Sequence, residues 1–174
     1  MPRSHSAALT TAHIALRTLV VVNWLSGAAI LVLLIATIVA KDWTMNALGI
    51  HQGSEIRVLI VPLRVIAMIG LTTIPINDAI LRRLLAIVET VRSGDPFVAA
   101  NAHRLQEIAW ALLALQIVSL VIGGIGKAVS TPAHPLHLNA GFSVSGWLAV
   151  LLTFILARVF AKGTLMRDDI EGTV

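Results

Sequence analysis

With 57% of its 174 residues apolar and only 13% charged, the chain has about half the charge of an ordinary soluble domain, which excludes a water-soluble globule. The net charge of +4 comes from basic residues at the ends of apolar stretches rather than from a patch, so no direct nucleic-acid contact is expected. The absence of cysteine removes disulfides, thiolate catalysis and thiolate metal sites.

Four apolar stretches follow one another, at about 19–40, 58–77, 108–129 and 144–161. A hydrocarbon core of about 30 Å needs about 20 helical residues, so each stretch can cross a bilayer. The first is longer than the roughly 7–15 residues of a signal-peptide core and no A-x-A cleavage pattern follows it, so it is expected to be a retained span. It carries Asn23, Ser26 and Gly27, a small polar notch that lets a neighbouring helix approach and share a hydrogen bond. Lys41, Asp42 and Trp43 end it, and Gly49 and Gly53 supply turn residues in the loop beyond.

The second stretch has Pro62 near its start and Pro75 near its end, and Pro75 is expected to kink the helix. Arg64 is the only charge well inside a span, about 9 Å from its end at 1.5 Å per residue. An intramembrane charge is a functional hypothesis by default. With no acidic residue inside another span, however, no proton relay can be built, and Arg64 has a structural alternative. It can snorkel, or bond to Asn23, Gln116 or backbone carbonyls.

The third stretch ends in Gly123-Gly124-Ile125-Gly126, placed for close packing or a frayed helix end rather than for a phosphate loop. In the fourth, Ser145, Ala149, Thr153, Ala157 and Ala161 recur every four residues. This small-xxx-small row lets backbones meet closely in lipid, either within the monomer or as a homodimer seam.

Basic residues divide nine against three. Arg3, Arg17, Arg82, Arg83, Arg92, Arg104, Arg158, Lys162 and Arg167 fall on one side; Lys41, Arg57 and Lys127 fall on the other. The positive-inside rule places both termini in the cytoplasm, with Trp43 and Trp147 near the outer interface and Trp110 near the inner one.

The connection at 78–107 then lies in the cytoplasm. Ile80, Leu84, Ile87, Val88 and Val91 share one helical face, opposite Arg82, Arg83, Ala86, Glu89, Thr90 and Ser93, which predicts an amphipathic helix. Gly94 stands where a C-terminal cap belongs. Asp95-Pro96 reads as the cap and first position of a second helix that runs into the third span, with Phe97, Asn101, Arg104 and Ile108 along one side. The amphipathic helix either meets a partner or lies on anionic lipid.

The run Thr90-Val91-Arg92-Ser93-Gly94-Asp95-Pro96-Phe97, followed by Asn101 and Arg104-Leu105, resembles the core motif of a bacterial family of small four-span membrane proteins of unknown function. Phe160, Gly163 and the ending Asp169-Ile170-Glu171-Gly172-Thr173-Val174 resemble that family's acidic tail. The resemblance implies a bacterial inner-membrane protein. Members resemble the membrane halves of gene pairs whose other half is a small helix-turn-helix regulator. It therefore implies a cytoplasmic transcription regulator as partner, held through 82–105 and the tail at 167–174, with Arg83, Arg92, Gly94, Pro96, Phe97, Asn101, Arg104 and Glu171 as contact residues.

No catalytic constellation accompanies these features, and no cofactor is expected. His51, His134 and His137 map to the outer side beside Glu55 or Asp42, but two or three loop histidines without an assured ligand set make a weak metal signal. His103 and the tail pair Asp168 and Asp169 form no triad or acid-base dyad, and no serine has a G-x-S-x-G context. The fold expected is an all-α membrane protein, a four-helix transmembrane bundle with a cytoplasmic amphipathic helix between helices 2 and 3. The function expected is non-enzymatic signalling or regulation through a cytoplasmic partner. The alternatives are a small oligomeric transporter, channel subunit or immunity protein with Arg64 facing a cavity, and a lipid-sensing or purely structural bundle.

Overall fold

The computed structural model describes residues 3–40, 43–44, 55–130 and 140–171, and among them there is no strand. Four long helices account for nearly all of them: α1 (Arg3–Val39), α2 (Glu55–Arg92), α3 (Ala99–Val129) and α4 (Val144–Glu171). Each contains a stretch long and apolar enough to cross a membrane: Ala8–Val39, Ile60–Arg92, Ala99–Ala128 and Val144–Met166. Large apolar side chains on all four face outward, among them Leu25, Val32, Ile117 and Leu152, each more than half exposed. Water does not tolerate so much contiguous apolar surface, whereas lipid does. The chain is a multi-pass membrane protein with four long apolar helices among its described residues.

The helices outrun their apolar cores. At 38 residues α2 is about 57 Å long, against the roughly 30 Å of a bilayer interior. The separate amphipathic helix expected at 78–92 is absent, because those residues are the last turns of α2. The helix continues through both Pro62 and Pro75. A proline withdraws one donor, a loss that membrane helices tolerate. The second helix also begins later than expected. Residues 95–98 form the connection, and the first turn of α3 is closed by the Asn101 amide donating to the Val98 carbonyl (2.9 Å). The start of α4 is capped by Ser143, whose Oγ accepts from the Gly146 amide at 3.2 Å.

The chain divides into two compact units. The first holds Met1–Val22, Ile76–Ala114 and Ser143–Val174, and its buried residues include Ile80, Leu105, Ile108, Ala109, Val150 and Ala157. The second holds Asn23–Pro75 and Leu115–Phe142. There the polar notch of α1 serves close packing: Asn23 Nδ2 donates to the Ile74 carbonyl at 3.0 Å, and the Ile74 side chain lies against Gly27. Gly123 leaves no room for a side chain. A Cβ placed on it would stand 2.6 Å from the Ala140 carbonyl oxygen and the Gly141 Cα. Ser119 Oγ secures the same approach, accepting from the Gly141 amide (3.1 Å) and donating to its carbonyl (3.2 Å).

Candidate functional site at the elbow between α2 and α3

Gly94 ends α2 at φ +91°, a left-handed conformation that side chains disfavour. The Gly94 amide donates to the Val91 carbonyl (3.2 Å) and the Asp95 amide to the Thr90 carbonyl (3.1 Å). This is the paired bond pattern of a Schellman cap, and it turns the chain back toward α3.

Asn101 closes the turn. Its side chain is fully buried in the first turn of α3. Nδ2 donates to Thr90 Oγ1 (2.7 Å) and to the Pro96 carbonyl (2.9 Å), while Oδ1 accepts from Arg104 Nη1 (2.8 Å). Thr90 Oγ1 donates in turn to the Ile87 carbonyl (2.7 Å), so it can only accept from Asn101. With two pure acceptors on one side and a guanidinium on the other, the amide has a single orientation that satisfies all three partners. One side chain thus ties the end of α2, the connection and the start of α3 together.

Arg83 of α2 bonds Glu107 of α3 through its Nε, and also donates to the Ala79 carbonyl at 3.2 Å. His103 Nδ1 lies 3.6 Å from the other Glu107 oxygen. Arg82 pairs with Asp78 at 2.6 Å and Arg92 with Glu89 at 3.3 Å, both on the exposed side of α2. A third tie reaches α4. The Phe97 ring packs on Phe160 with centroids 5.3 Å apart, and a Cβ placed on Gly163 would meet the same ring at 3.5 Å. The elbow motif and the Phe-x-x-Gly near the tail, 63 residues apart by number, meet in space.

The family described as Protein of unknown function (DUF2975) matches residues 47–174. The chain belongs to that family. The DUF2975 region takes in α2, the elbow, α3 and α4, so Thr90, Gly94, Phe97, Asn101, Arg104 and Phe160 all lie within it. No curated protein and no solved structure matches the chain.

Of the residues named from sequence, Gly94, Pro96, Phe97, Asn101 and Arg104 come together at the elbow, while Arg83 makes a separate tie from α2 to Glu107 of α3. Arg92 is exposed and stands apart from the buried bonds. Asn101 is fully buried and hydrogen-bonded at both ends of its amide, which ties α2, the connection and α3 together. The side chain of Glu171 lies outside the described residues, as do His51, His134 and His137. The intramembrane polar residues share no hydrogen bond. Arg64 reaches Thr37 of α1, bonding its carbonyl and, at 3.4 Å, its hydroxyl; Asn23 bonds Ile74; and Gln116 Oε1 is buried without a partner among the described residues. Along the small-residue row of α4, Ala157 is buried, Thr153 and Ala161 half-buried, and Ser145 and Ala149 exposed. Sequence reasoning passed over the role of Thr90, Glu107 and Phe160. The available signal for Thr90 was a hydroxyl one turn before a capping glycine, followed by a buried-face asparagine.

Proposed function

We propose that the chain is a non-enzymatic signalling or regulatory protein of the bacterial inner membrane that holds a cytoplasmic partner on its elbow. The observation that carries this reading is a turn beyond the apolar part of α2 that the Asn101 hydrogen bonds hold closed. Residues 78–92 extend it by about 22 Å at 1.5 Å per residue. A surface held in one conformation loses little entropy on binding. The exposed side offers the Arg82–Asp78 and Arg92–Glu89 ion pairs and half-exposed Phe97, a mixture of charge and one aromatic suited to a polar, partly apolar protein surface. Both termini and the elbow face the cytoplasm in this reading, by the positive-inside argument. The partner is a small helix-turn-helix regulator, by analogy with the paired genes that the family resembles.

Regulation follows from the Phe97–Phe160 contact. An event at the outer loops or in the bilayer that shifts α4 along its small-residue row moves Phe160, and with it the face that carries Phe97. The test is a photo-crosslinking residue at Arg92, in the native host. The reading expects a small DNA-binding protein in the adduct, reduced when residues 168–174 are deleted or Arg104→Ala is introduced while membrane levels stay normal. An adduct with lipid or with the protein itself alone would sink it. The transporter or channel reading requires Arg64 to face a cavity, and the bonds from its guanidinium to Thr37 favour a packing role instead.

A further inference from the structure

Within the first unit, α3 and α4 enclose a groove of about 330 Å³. The pairs Phe97–Phe160 and Trp110–Phe154 show the two helices running antiparallel along it. One end is polar, with His103 and Gln106 of α3 and Arg158 of α4. The other end, one to two turns deeper, is aromatic: Trp110 and Phe154 meet edge to face with centroids 5.3 Å apart. Small side chains such as Ala157 form the floor between them.

Three features select the occupant. Arg158 is exposed and makes no hydrogen bond or ion pair among the described residues, so its charge is available to an anion. Trp110 is 58% exposed, so the groove opens sideways onto the surface that lipid covers. Its volume, about 330 Å³, sits at the low end of small-ligand pockets. A polar, cationic end and an apolar end in line along a transmembrane surface match the axis of an amphiphile, with the charged head at the interface and the chain running inward.

We propose that this groove binds one anionic phospholipid. Its phosphate takes the Arg158 guanidinium and the Gln106 amide, with His103 beside it, and its upper acyl chain crosses Ala157 to rest on Trp110 and Phe154. The site stands independently of the partner reading, because it faces lipid and needs no soluble protein.

The chain has four tryptophans, so replacing Trp24, Trp43 and Trp147 by phenylalanine leaves Trp110 as a reporter inside the groove. The full-length variant is reconstituted in phosphatidylcholine vesicles containing a low, equal mole fraction of bromine-labelled phosphatidylglycerol or bromine-labelled phosphatidylcholine. Trp110 is expected to be quenched by the anionic lipid as though it were enriched about fivefold over the neutral one, the preference one arginine gives near an anionic head group. Adding Arg158→Gln should bring the two lipids level while the protein still elutes as a single species in detergent. Equal quenching by both lipids with Arg158 in place would overturn the site. So would the same preference at a protein whose sole tryptophan is Trp24 on α1, since that reports enrichment around the whole molecule. Excess glycerol phosphate should leave the preference intact; its loss would replace the lipid with a soluble phosphate and overturn the proposed occupant.

Discussion

Replacing Asn101 by alanine tests the elbow directly. The variant loses two bonds from Nδ2, to Thr90 Oγ1 and the Pro96 carbonyl, and one from Arg104 to Oδ1. A neutral hydrogen bond contributes about 1 kcal/mol net, and one to a charged group about 1.5–3 kcal/mol. Arg104 is only half-buried, so the lower part of that range applies to it. The sum is a loss of about 3–4 kcal/mol. In a chain of this length each kcal/mol moves the melting midpoint by about 2–4 °C, which gives a fall of roughly 10 °C. Melting of the detergent-solubilised protein, followed by tryptophan fluorescence and by size-exclusion recovery after heating, reads it. The exposed Arg92→Ala serves as control and should stay close to the parent. The size of the effect also reports the environment, since hydrogen bonds between membrane helices average only about 0.6 kcal/mol. A fall of no more than about 2 °C, equal to the Arg92→Ala control, would refute the claim that Asn101 holds the turn.

Other outcomes follow from the same geometry. Gly94→Ala forces a side chain into φ +91° and should destabilise by about 1–2 kcal/mol, measured in the same melting assay. Gly123→Ala places a Cβ against the backbone of Ala140 and Gly141 at 2.6 Å, and should cost about 1–3 kcal/mol, with lower yield of monodisperse protein. Arg64→Leu removes the bonds to Thr37, so it should lower the melting midpoint; a fully stable variant that loses function in its host would argue instead for a ligand role. Because the chain lacks cysteine, Arg92→Cys and Trp43→Cys can each be probed with a membrane-impermeant maleimide on intact cells. Labelling of the second and protection of the first is expected from the charge asymmetry, and the reverse pattern would invert the topology.

The membrane class and the four spans were legible because hydropathy over some twenty residues is a property of the chain itself, independent of what packs on it. The break at Gly94 was legible for a similar reason: one glycine after an amphipathic run meets a local conformational need that other residues satisfy poorly. The sequence also marked Phe97, Asn101 and Arg104 as a group, but their roles depended on facing. A polar residue on a helix can point to solvent or inward, and only the register of α2 against α3 turned Asn101 inward onto Thr90 and Pro96.

Tertiary structure alone decided three further features. It set Phe97 on Phe160. It also brought Arg64 to Thr37 and opened the groove beside Trp110. Each depends on contacts between positions far apart in the chain, whose energies are set by helix register and close packing rather than by any local run of residues.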